Sequence, residues 1–347
     1  MLTAHDQNIE ATALRLFDDN GELAHMPLTG NITIPKVIHY DEQPAVLVIE
    51  DLGELGTLWD LLDNRTCSEA VKSGQAQLLH YMVLGHRVGT FFGHLHSLET
   101  FAKVGENESA AASLTHSLTT ELVFNAAVQP IRERLDQYGT PNAEVLAWRV
   151  TQDYREPKYT YPPAMSLGDF HPGSILVQDW YTDPKAVGDA AAPPRLAIID
   201  WEFAALNGRG VNGDVAQFLA SLHCHIVSLQ PDDVGLQATA LFIQGFAGAY
   251  GKVAALDFQM TPENTALQLL RSYLILHGRE MINQAFEREW GVEKEVLAKM
   301  VAVGASYIDM AGDSAEELLE KNWSRLMEND HGVVANLFGI TNKFTNI

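Results

Sequence analysis

The segment 165–177, MSLGDFHPGSILV, and the segment 196–202, LAIIDWE, decide how this chain is expected to fold. In each segment an apolar run delivers one aspartate to a turn, Asp169 in the first and Asp200 in the second. Glycine, serine and proline interrupt the first run, so the pattern predicts a strand, a tight loop and a second strand. The second segment predicts a short buried strand that ends at its acid.

Two carboxylates held at neighbouring strand ends are suited to phosphoryl transfer. One of them accepts the proton of a substrate hydroxyl, and the other holds the magnesium that bridges the nucleotide phosphates. Each aspartate also has a plainer interpretation, because a turn aspartate accepts hydrogen bonds from nearby backbone amides. The pattern therefore leaves a catalytic and a structural role open for both Asp169 and Asp200.

The motifs around these acids resemble those of the aminoglycoside phosphotransferase and choline kinase family, small-molecule kinases with a protein-kinase-like fold. The matching stretches are 168–170, GDF, then 173–177, GSILV, and 199–202, IDWE, a variant similar to a fungal branch of that family. The resemblance implies that Asp169 is the catalytic base and Asp200 the magnesium ligand. Asp214 would open the next helix and brace the catalytic loop.

The resemblance also assigns residues to the nucleotide. In the family, a strand that ends in an acidic pair and a glycine leads into the linker between the lobes, and backbone groups of that linker bind adenine. Glu50, Asp51 and Leu52 would form this hinge. Glu10 lies where the family has a helix whose glutamate pairs with the phosphate-binding lysine.

The chain departs from the family pattern at several positions. Leu167 replaces the usual histidine, and Ser174 replaces the usual asparagine, so Ser174 is expected to be a weaker magnesium ligand through its hydroxyl oxygen. No lysine precedes Lys36, and the glycine-rich turn has no counterpart before Glu10. The expectation is an incomplete N-terminal lobe, or a start codon assigned too late in the gene.

Two further residues near the acids each keep two interpretations. His171 either contacts a phosphate or braces the loop. Glu202 either recognises an amine of the substrate or is a solvated or ion-paired side chain. The sequence alone does not choose between these roles.

Composition limits the classes of function. The chain has 347 residues, of which 46% are hydrophobic and 20% charged, as in a packed globular protein. Its 23 Lys and Arg against 45 Asp and Glu give a net charge of −22, which argues against binding to nucleic acid or to anionic membranes. The acidity suits a cationic small-molecule substrate, or it serves solubility alone.

Cysteine usage and the N-terminal sequence bear on the compartment. The two cysteines, Cys67 and Cys224, are far apart and have no paired spacing, which is typical of a reducing compartment. The N-terminal sequence has no signal-peptide pattern, and no apolar stretch is long enough to span a bilayer. A cytoplasmic protein is the expectation.

The predicted fold is α+β, a protein-kinase-like two-lobe fold with a truncated N-terminal lobe and a large, mainly helical C-terminal lobe. Residues 1–53 would form the remnant N-terminal lobe, with a helix, a strand pair over 32–40 and 45–49, and the hinge. Residues 54–347 would carry the catalytic and metal loops. Residues 179–195 are rich in proline, glycine and small side chains, which predicts a surface loop.

Helical periodicity dominates the chain beyond the hinge. It predicts a short helix over 58–62 and a long one over 70–98. Further helices are expected over 118–138, 144–154, 215–229, 234–250, 262–286, 293–310 and 315–327. Thr261-Pro262 is a helix start signal, and Ser314 with Glu317 predicts a capping box.

The predicted function is transfer of the γ-phosphate of ATP, with Mg²⁺, to a hydroxyl of a small metabolite such as an amine, amino alcohol or amino sugar. The alternative is a non-catalytic, pseudokinase-like protein that keeps the fold for binding or scaffolding. The absent glycine-rich turn and strand lysine favour that alternative. The oligomeric state and the identity of the acceptor are not encoded in any pattern that we find.

Overall fold

The computed structural model describes residues 4–26, 32–43, 45–73, 77–115, 118–155, 162–178, 194–254, 265–318, 334 and 337–338. The chain divides into two compact units. The first takes in Met1–His116, Pro163–Gly210 and Pro231–Ala254, and the second takes in Ser117–Pro162, Val211–Gln230 and Ala255–Ile347. The division into lobes at residue 53 stays a prediction. The start signal at 261–262 and most of the 179–195 insertion lie outside the described residues.

Among the described residues, every strand belongs to the first unit. One sheet has four strands in the order β1 (Ile32–Thr33), β7 (Leu196–Ile198), β6 (Ile175–Val177) and β4 (Gly56–Thr57). β1 runs parallel to β7, and the other neighbours are antiparallel. The predicted strands after the first acidic loop and before Asp200 are therefore both present, side by side.

Two separate strand pairs accompany this sheet. β2 (Val37–Asp41) and β3 (Val46–Ile49) form the predicted hairpin. β5 (Ala164–Ser166) pairs antiparallel with β8 (Ala205–Gly208). The prediction of one strand over 32–40 is wrong, because Ile32–Thr33 pairs with β7 and a proline at position 35, which cannot donate to a ladder, separates it from β2.

The first unit also holds seven described helices: α1 (Ala4–Arg15), α2 (Leu58–Leu62), α3 (Asn64–Lys72), α4 (Leu78–Leu95), α5 (Leu98–Gly105), α6 (Glu108–Leu114) and α11 (Val234–Val253). The predicted short helix over 58–62 is confirmed. The prediction of one helix over 70–98 is confirmed only for its central part, α4, and its first residues belong to α3. Its last part begins a new helix, because Ser97 accepts a hydrogen bond from the Thr100 N–H at 3.1 Å and caps α5.

Close backbone contact joins α4 and α11 in the first unit. A Cβ placed on Gly85 would lie 1.9 Å from the Phe242 carbonyl oxygen, so only glycine permits this approach. Phe91 and Phe92, further along α4, are fully buried. This helix pair forms part of the support for the loops that carry the acids.

The second unit is helical in its described residues. Its helices are α7 (Leu118–Val123), α8 (Ile131–Gln137), α9 (Ala143–Arg155), α10 (Ala216–Ser228), α12 (Thr265–Glu287) and α13 (Lys294–Met310). Pro130 precedes α8 and interrupts the helix predicted over 118–138, because proline cannot continue a helical hydrogen-bond ladder. The helices predicted over 144–154, 215–229, 234–250 and 293–310 agree with the structure to within a few residues, as does the described part of the one predicted over 262–286.

A buried polar chain joins three helices of the second unit. His223 Nδ1 lies 3.1 Å from His277 Nε2, and His277 Nδ1 lies 3.2 Å from the Tyr273 hydroxyl. The Tyr307 ring stacks on His277 with centroids 4.7 Å apart. Burial and the charge of His223 lower the pKa of His277 well below its usual range.

The predicted capping box near the end of the described chain is confirmed. The Ser314 hydroxyl accepts from the Glu317 N–H at 3.2 Å, and the Glu317 carboxylate accepts from the Ser314 N–H at 3.2 Å. The helix predicted over 315–327 lies mostly outside the described residues.

The two cysteines are buried free thiols. Burial raises the pKa of Cys67 to about 11 and also raises that of Cys224. Across the part of the chain that the structure describes, no helix combines the length and the apolar character needed to cross a membrane.

Candidate active site

Two strand–loop–strand segments carry the acids. The first acidic loop, residues 167–174, joins β5 to β6, and the second acidic loop, residues 199–204, joins β7 to β8. The strands pair across the two segments, β6 with β7 and β5 with β8. Each end of one loop is thereby tied by backbone pairing to an end of the other. This cross-pairing places the two loops side by side.

The two loops are also in direct contact. Gly168 has a φ of 93°, a backbone conformation that favours glycine. A Cβ at this position would lie 1.9 Å from the Phe203 carbonyl oxygen. The first loop therefore needs glycine before its acid, both for its backbone conformation and for its approach to the second loop.

Asp200 has an unusual backbone conformation, with φ at 64°. Aspartate tolerates the left-handed region better than most residues do, and such positions occur often at functional sites. Burial raises the pKa of Asp200, the electrostatic influence of His171 lowers it, and the charge of Asp169 raises it further. Asp169 and Asp200 are both half-buried and close enough to act on one another electrostatically. The structure thus brings the predicted acid pair together, and the roles of the two acids remain predictions.

Hydrogen bonds inside the first acidic loop involve Ser174 and His171. Ser174 is completely buried, and its hydroxyl donates to the Asp169 carbonyl at 3.2 Å. The Gly173 N–H donates to His171 Nδ1 at 3.0 Å, which puts the proton of a neutral imidazole on Nε2. These contacts support a bracing role for both side chains. Magnesium binding by Ser174 and phosphate contact by His171 stay predictions.

The aromatic residue that follows each acid anchors its loop in the core. Phe170 stacks on Phe92 with ring centroids 3.8 Å apart. Trp201 is fully buried, and its indole N–H donates to the Ile198 carbonyl at 3.2 Å. These two residues therefore pack beneath the loops.

Glu10 of α1 reaches the second acidic loop. The Trp201 backbone lowers the pKa of its carboxylate, which lies near this residue. Burial together with the charges of Glu202 and Asp200 raises the pKa of Glu10 to about 7. The Lys36 amine lies elsewhere, 3.1 Å from Asp19 on the surface. Glu10 therefore lies among carboxylates. A role of Glu10 in nucleotide binding stays a prediction.

The predicted hinge is bonded to its neighbours through backbone and side chain. The Glu50 N–H donates to the Lys36 carbonyl at 2.8 Å, and Asp51 accepts from the Gly53 N–H at 2.8 Å. The Leu52 carbonyl accepts from the Arg195 guanidinium at 2.5 Å. Arg195 was missed by the sequence interpretation, although it is the cation that immediately precedes LAIID. Adenine binding at this segment remains untested.

Asp214 lies in the second unit, in the π-helical segment Gly210–Val215 that leads into α10. Its side chain is buried, with 3% exposure. Nearby, the Asn212 amide donates to the Ser272 hydroxyl at 2.9 Å. The proposed bracing of the catalytic loop by Asp214 stays a prediction.

The donor set suits magnesium bound together with phosphates. Among the described residues, no three or more His, Cys, Asp or Glu side chains are placed to hold a metal ion by themselves. Mg²⁺ does not require such a group, because it usually binds one or two carboxylates, waters and the phosphates of its substrate. The half-buried Asp200 carboxylate beside Asp169 fits that chemistry.

The sequence is similar to two curated small-molecule kinases. The 4-hydroxytryptamine kinase of Psilocybe cubensis is 22% identical over 253 residues, which cover 71% of this chain and 63% of the relative. The methylthioribose kinase of Bacillus cereus is 25% identical over 219 residues, which cover 58% of this chain and 47% of the relative. The chain thus spans less than two thirds of either relative. No protein-family model matches it.

Solved structures of glucosamine kinase are also similar. Crystal form B is 20% identical, with a TM-score of 0.41 over 77% of this chain and 61% of that one. Crystal form A is 16% identical, with a TM-score of 0.37 over 96% of this chain and 68% of that one.

Proposed function

We propose that this protein is a small-molecule kinase that moves the γ-phosphate of ATP to a hydroxyl of a small metabolite. The observation that carries the proposal is the cross-pairing of β5 with β8 and β6 with β7, which sets Asp169 beside Asp200. The two curated relatives, both kinases of small molecules, support the reaction class. A cytoplasmic location belongs to the same proposal and agrees with two free thiols.

The roles follow from what each loop presents. Asp169, half-buried directly after Gly168, accepts the proton of the acceptor hydroxyl. Asp200 is the carboxylate that holds Mg²⁺. Bound Mg²⁺ neutralises the charge that develops on the phosphates. The bonds of Ser174 and His171 keep the first loop rigid, which limits misplacement of the base.

The acceptor class that we propose is an amine, an amino alcohol or an amino sugar. The net charge of −22 favours approach of a cation, and Glu202 is a half-buried carboxylate on the second acidic loop. One relative is named for a hydroxylated amine and the other for a thio-sugar. 4-Hydroxytryptamine and methylthioribose are therefore the first two acceptors to test.

A second candidate function is nucleotide binding without transfer. The environment of Glu10 favours it, because burial and the charges of Glu202 and Asp200 raise its pKa, whereas a paired lysine would lower it. Such a protein would bind Mg-ATP through the hinge and Asp200. It would release no ADP in the presence of an acceptor.

The test is ADP release from Mg-ATP with a panel of hydroxylated amines and sugars. We expect acceptor-dependent release from the wild type and a loss of at least ~100-fold in Asp169→Asn, which keeps the shape but not the basicity. Asp136→Asn, an exposed change on α8, is the matched control and should retain full activity. Mg-ATP that raises the melting temperature without any transfer would favour the second candidate. Full activity in Asp169→Asn would remove that residue as the base.

A further inference from the structure

The peptide group between Leu52 and Gly53 is held at both of its ends. Gly53 has a φ of 74°, a backbone conformation that lies outside the strand region and favours glycine. The Gly53 N–H donates to Asp51 at 2.8 Å, and the Leu52 carbonyl accepts from the Arg195 guanidinium at 2.5 Å. The first bond stays inside the segment 50–53. The second joins this segment to the residue that directly precedes β7 in the four-stranded sheet.

The backbone that carries Arg195 is fixed by Gln178 and Arg87. The Arg195 N–H donates to the Gln178 side-chain oxygen at 3.2 Å, and the Gln178 N–H donates back to the Arg195 carbonyl at 2.9 Å. The carbonyl of Pro194 accepts from the Arg87 guanidinium at 2.7 Å, and Arg87 is buried in α4. Arg195 is therefore an exposed side chain on a fixed backbone, which suits it to hold a neighbouring segment in place.

The bond from Arg195 to Leu52 is suited to local positioning. Water competes for an exposed guanidinium, so a bond of this kind adds little to the free energy of unfolding. Among the described residues, the other hydrogen bonds of the segment 50–53 reach Lys36 or stay within the segment. Loss of the Arg195 bond would thus leave this segment without a described hydrogen bond to the four-stranded sheet.

The backbone of the same segment offers both donors and acceptors to a ligand. The hydrogen bonds described for residues 50–52 do not use the Asp51 and Leu52 N–H groups or the Glu50 carbonyl. Adenine presents an acceptor, N1, beside a donor, the N6 amino group, and hypoxanthine presents the reverse, a donor beside an acceptor. A backbone edge can tell these two bases apart only while its own conformation is held, because each hydrogen bond depends on distance and direction.

We propose that Arg195 is a positioning residue for the nucleotide base, because its bond to the Leu52 carbonyl holds residues 50–53 in the conformation that meets adenine. This role rests on the proposed function, which places adenine at this segment. Arg195 acts through the segment and contacts neither the phosphates nor the acceptor. Its loss should therefore weaken binding of the base and leave binding of the phosphates at Asp200 unchanged.

Binding of Mg-ATP and of Mg-triphosphate to the full chain, measured by calorimetry, separates the base from the phosphates. Arg195→Met removes the donor, and we expect the Kd of Mg-ATP to rise about fivefold while that of Mg-triphosphate changes less than about twofold. Arg195→Lys keeps a charged donor and should bind Mg-ATP within about twofold of the wild type. Arg65→Met, a change of an exposed arginine on α3, is the matched control and should bind both ligands as the wild type does. Unchanged Mg-ATP affinity in Arg195→Met, or an equal rise for Mg-triphosphate, would overturn the proposal.

Discrimination between ATP and ITP is a second readout, and it does not depend on the triphosphate probe. The wild type should prefer ATP, whose base is adenine, over ITP, whose base is hypoxanthine. We expect Arg195→Met to lose at least ~threefold of that preference, because a loosened backbone edge no longer fixes its donors and acceptors. The same preference in Arg195→Met as in the wild type would contradict the role of Arg195.

Hydrogen–deuterium exchange without nucleotide reports the segment itself. The peptide over 50–57 should exchange about fivefold faster in Arg195→Met, and peptides of α12, which report global unfolding, should be unchanged. If the α12 peptides also exchange faster, Arg195→Gln replaces Arg195→Met in every comparison, because its shorter side chain withdraws the donor but stays polar. Equal exchange over 50–57 in the variant and the wild type would also overturn the proposal.

Assays of transfer separate this role from the proposed function. Arg195→Met should raise the KM for ATP about fivefold and leave kcat and the acceptor KM unchanged. A wild type that binds Mg-ATP but transfers nothing would refute the proposed function and leave the role of Arg195 standing. A wild type that transfers phosphate while Arg195→Met keeps its KM for ATP would do the opposite. A wild type that binds no Mg-ATP would refute both.

Discussion

Replacement of Glu10 by glutamine should change how stability depends on pH. Burial and the neighbouring carboxylates raise the pKa of Glu10 from 4.5 to about 7 in the folded protein. Below pH 4.5 the side chain is protonated in both the folded and the unfolded states. Between pH 4.5 and 7 the unfolded chain releases the proton and the folded protein retains it. Stability is therefore lost as pH rises through this window.

The size of the effect follows from the pKa difference. A rise from 4.5 to about 7 corresponds to about 3 kcal/mol at about pH 8, where Glu10 is ionised in both states. Solvent reaches part of the half-buried side chain, and screening reduces the expected value to about 2 kcal/mol. Glutamine has nearly the shape of a protonated glutamate and carries no charge at any pH.

Urea unfolding of the wild type and Glu10→Gln across about pH 4 to 8.5 measures this difference. The two proteins should be nearly equal in stability at about pH 4, and Glu10→Gln should be more stable by about 2 kcal/mol at about pH 8. All other titrating groups are shared, so they cancel in the comparison. A stability difference that is constant over this pH range would refute the placement of Glu10 among carboxylates.

Three other changes test separate parts of the structure. Because the pKa of buried His277 is lowered, this residue should make the free energy of unfolding fall by about 1.4 kcal/mol for each pH unit below 6.5. Urea unfolding of His277→Gln should lack this contribution to the pH dependence. Gly168→Ala should lower the free energy of unfolding in urea by at least about 2 kcal/mol, because Gly168 has a φ of 93° and contacts the second acidic loop. Gly248→Ala on α11 is the control, and it should be neutral or mildly stabilising because open space surrounds this glycine. Ser174→Ala should lower the melting temperature by removing the bond to the Asp169 carbonyl, and an unchanged Mg²⁺ requirement would separate bracing from metal binding.

Local sequence signals predicted the elements that carry the acids. The apolar runs that end at Asp169 and Asp200 do form strands, and the helix over 58–62 and the capping box at 314–317 are present. Each of these depends on residues a few positions apart. For that reason a single sequence contains the whole signal.

Contacts between distant segments were not predictable in the same way. Arg195 and Leu52 are 143 positions apart, and neither belongs to a pattern that would name the other. The electrostatic interaction of Glu10 with Glu202 and Asp200 likewise joins segments that share no periodicity. The prediction of one long helix over 70–98 was wrong at its C-terminal end for a different reason. The cap at Ser97 is a local signal, and it starts a new helix there although the apolar spacing continues.

The placement of Asp169 and Asp200 and the presence of a phosphate-binding cation depend on different parts of the chain. The acids are placed by four paired strands and by Gly168, all of which lie in the part of the chain that the structure describes. The placement of the two acids therefore does not depend on a lysine paired with Glu10. A cation beside the phosphates stabilises charge that develops during transfer, and its loss costs several kcal/mol of transition-state stabilisation. A protein that binds Mg-ATP in an Asp200-dependent manner but transfers nothing would thus indicate a missing cation and not a misplaced acid pair. Restoring turnover by an added lysine near Glu10 would then be the expected rescue, with Asp169→Asn still inactive in that background.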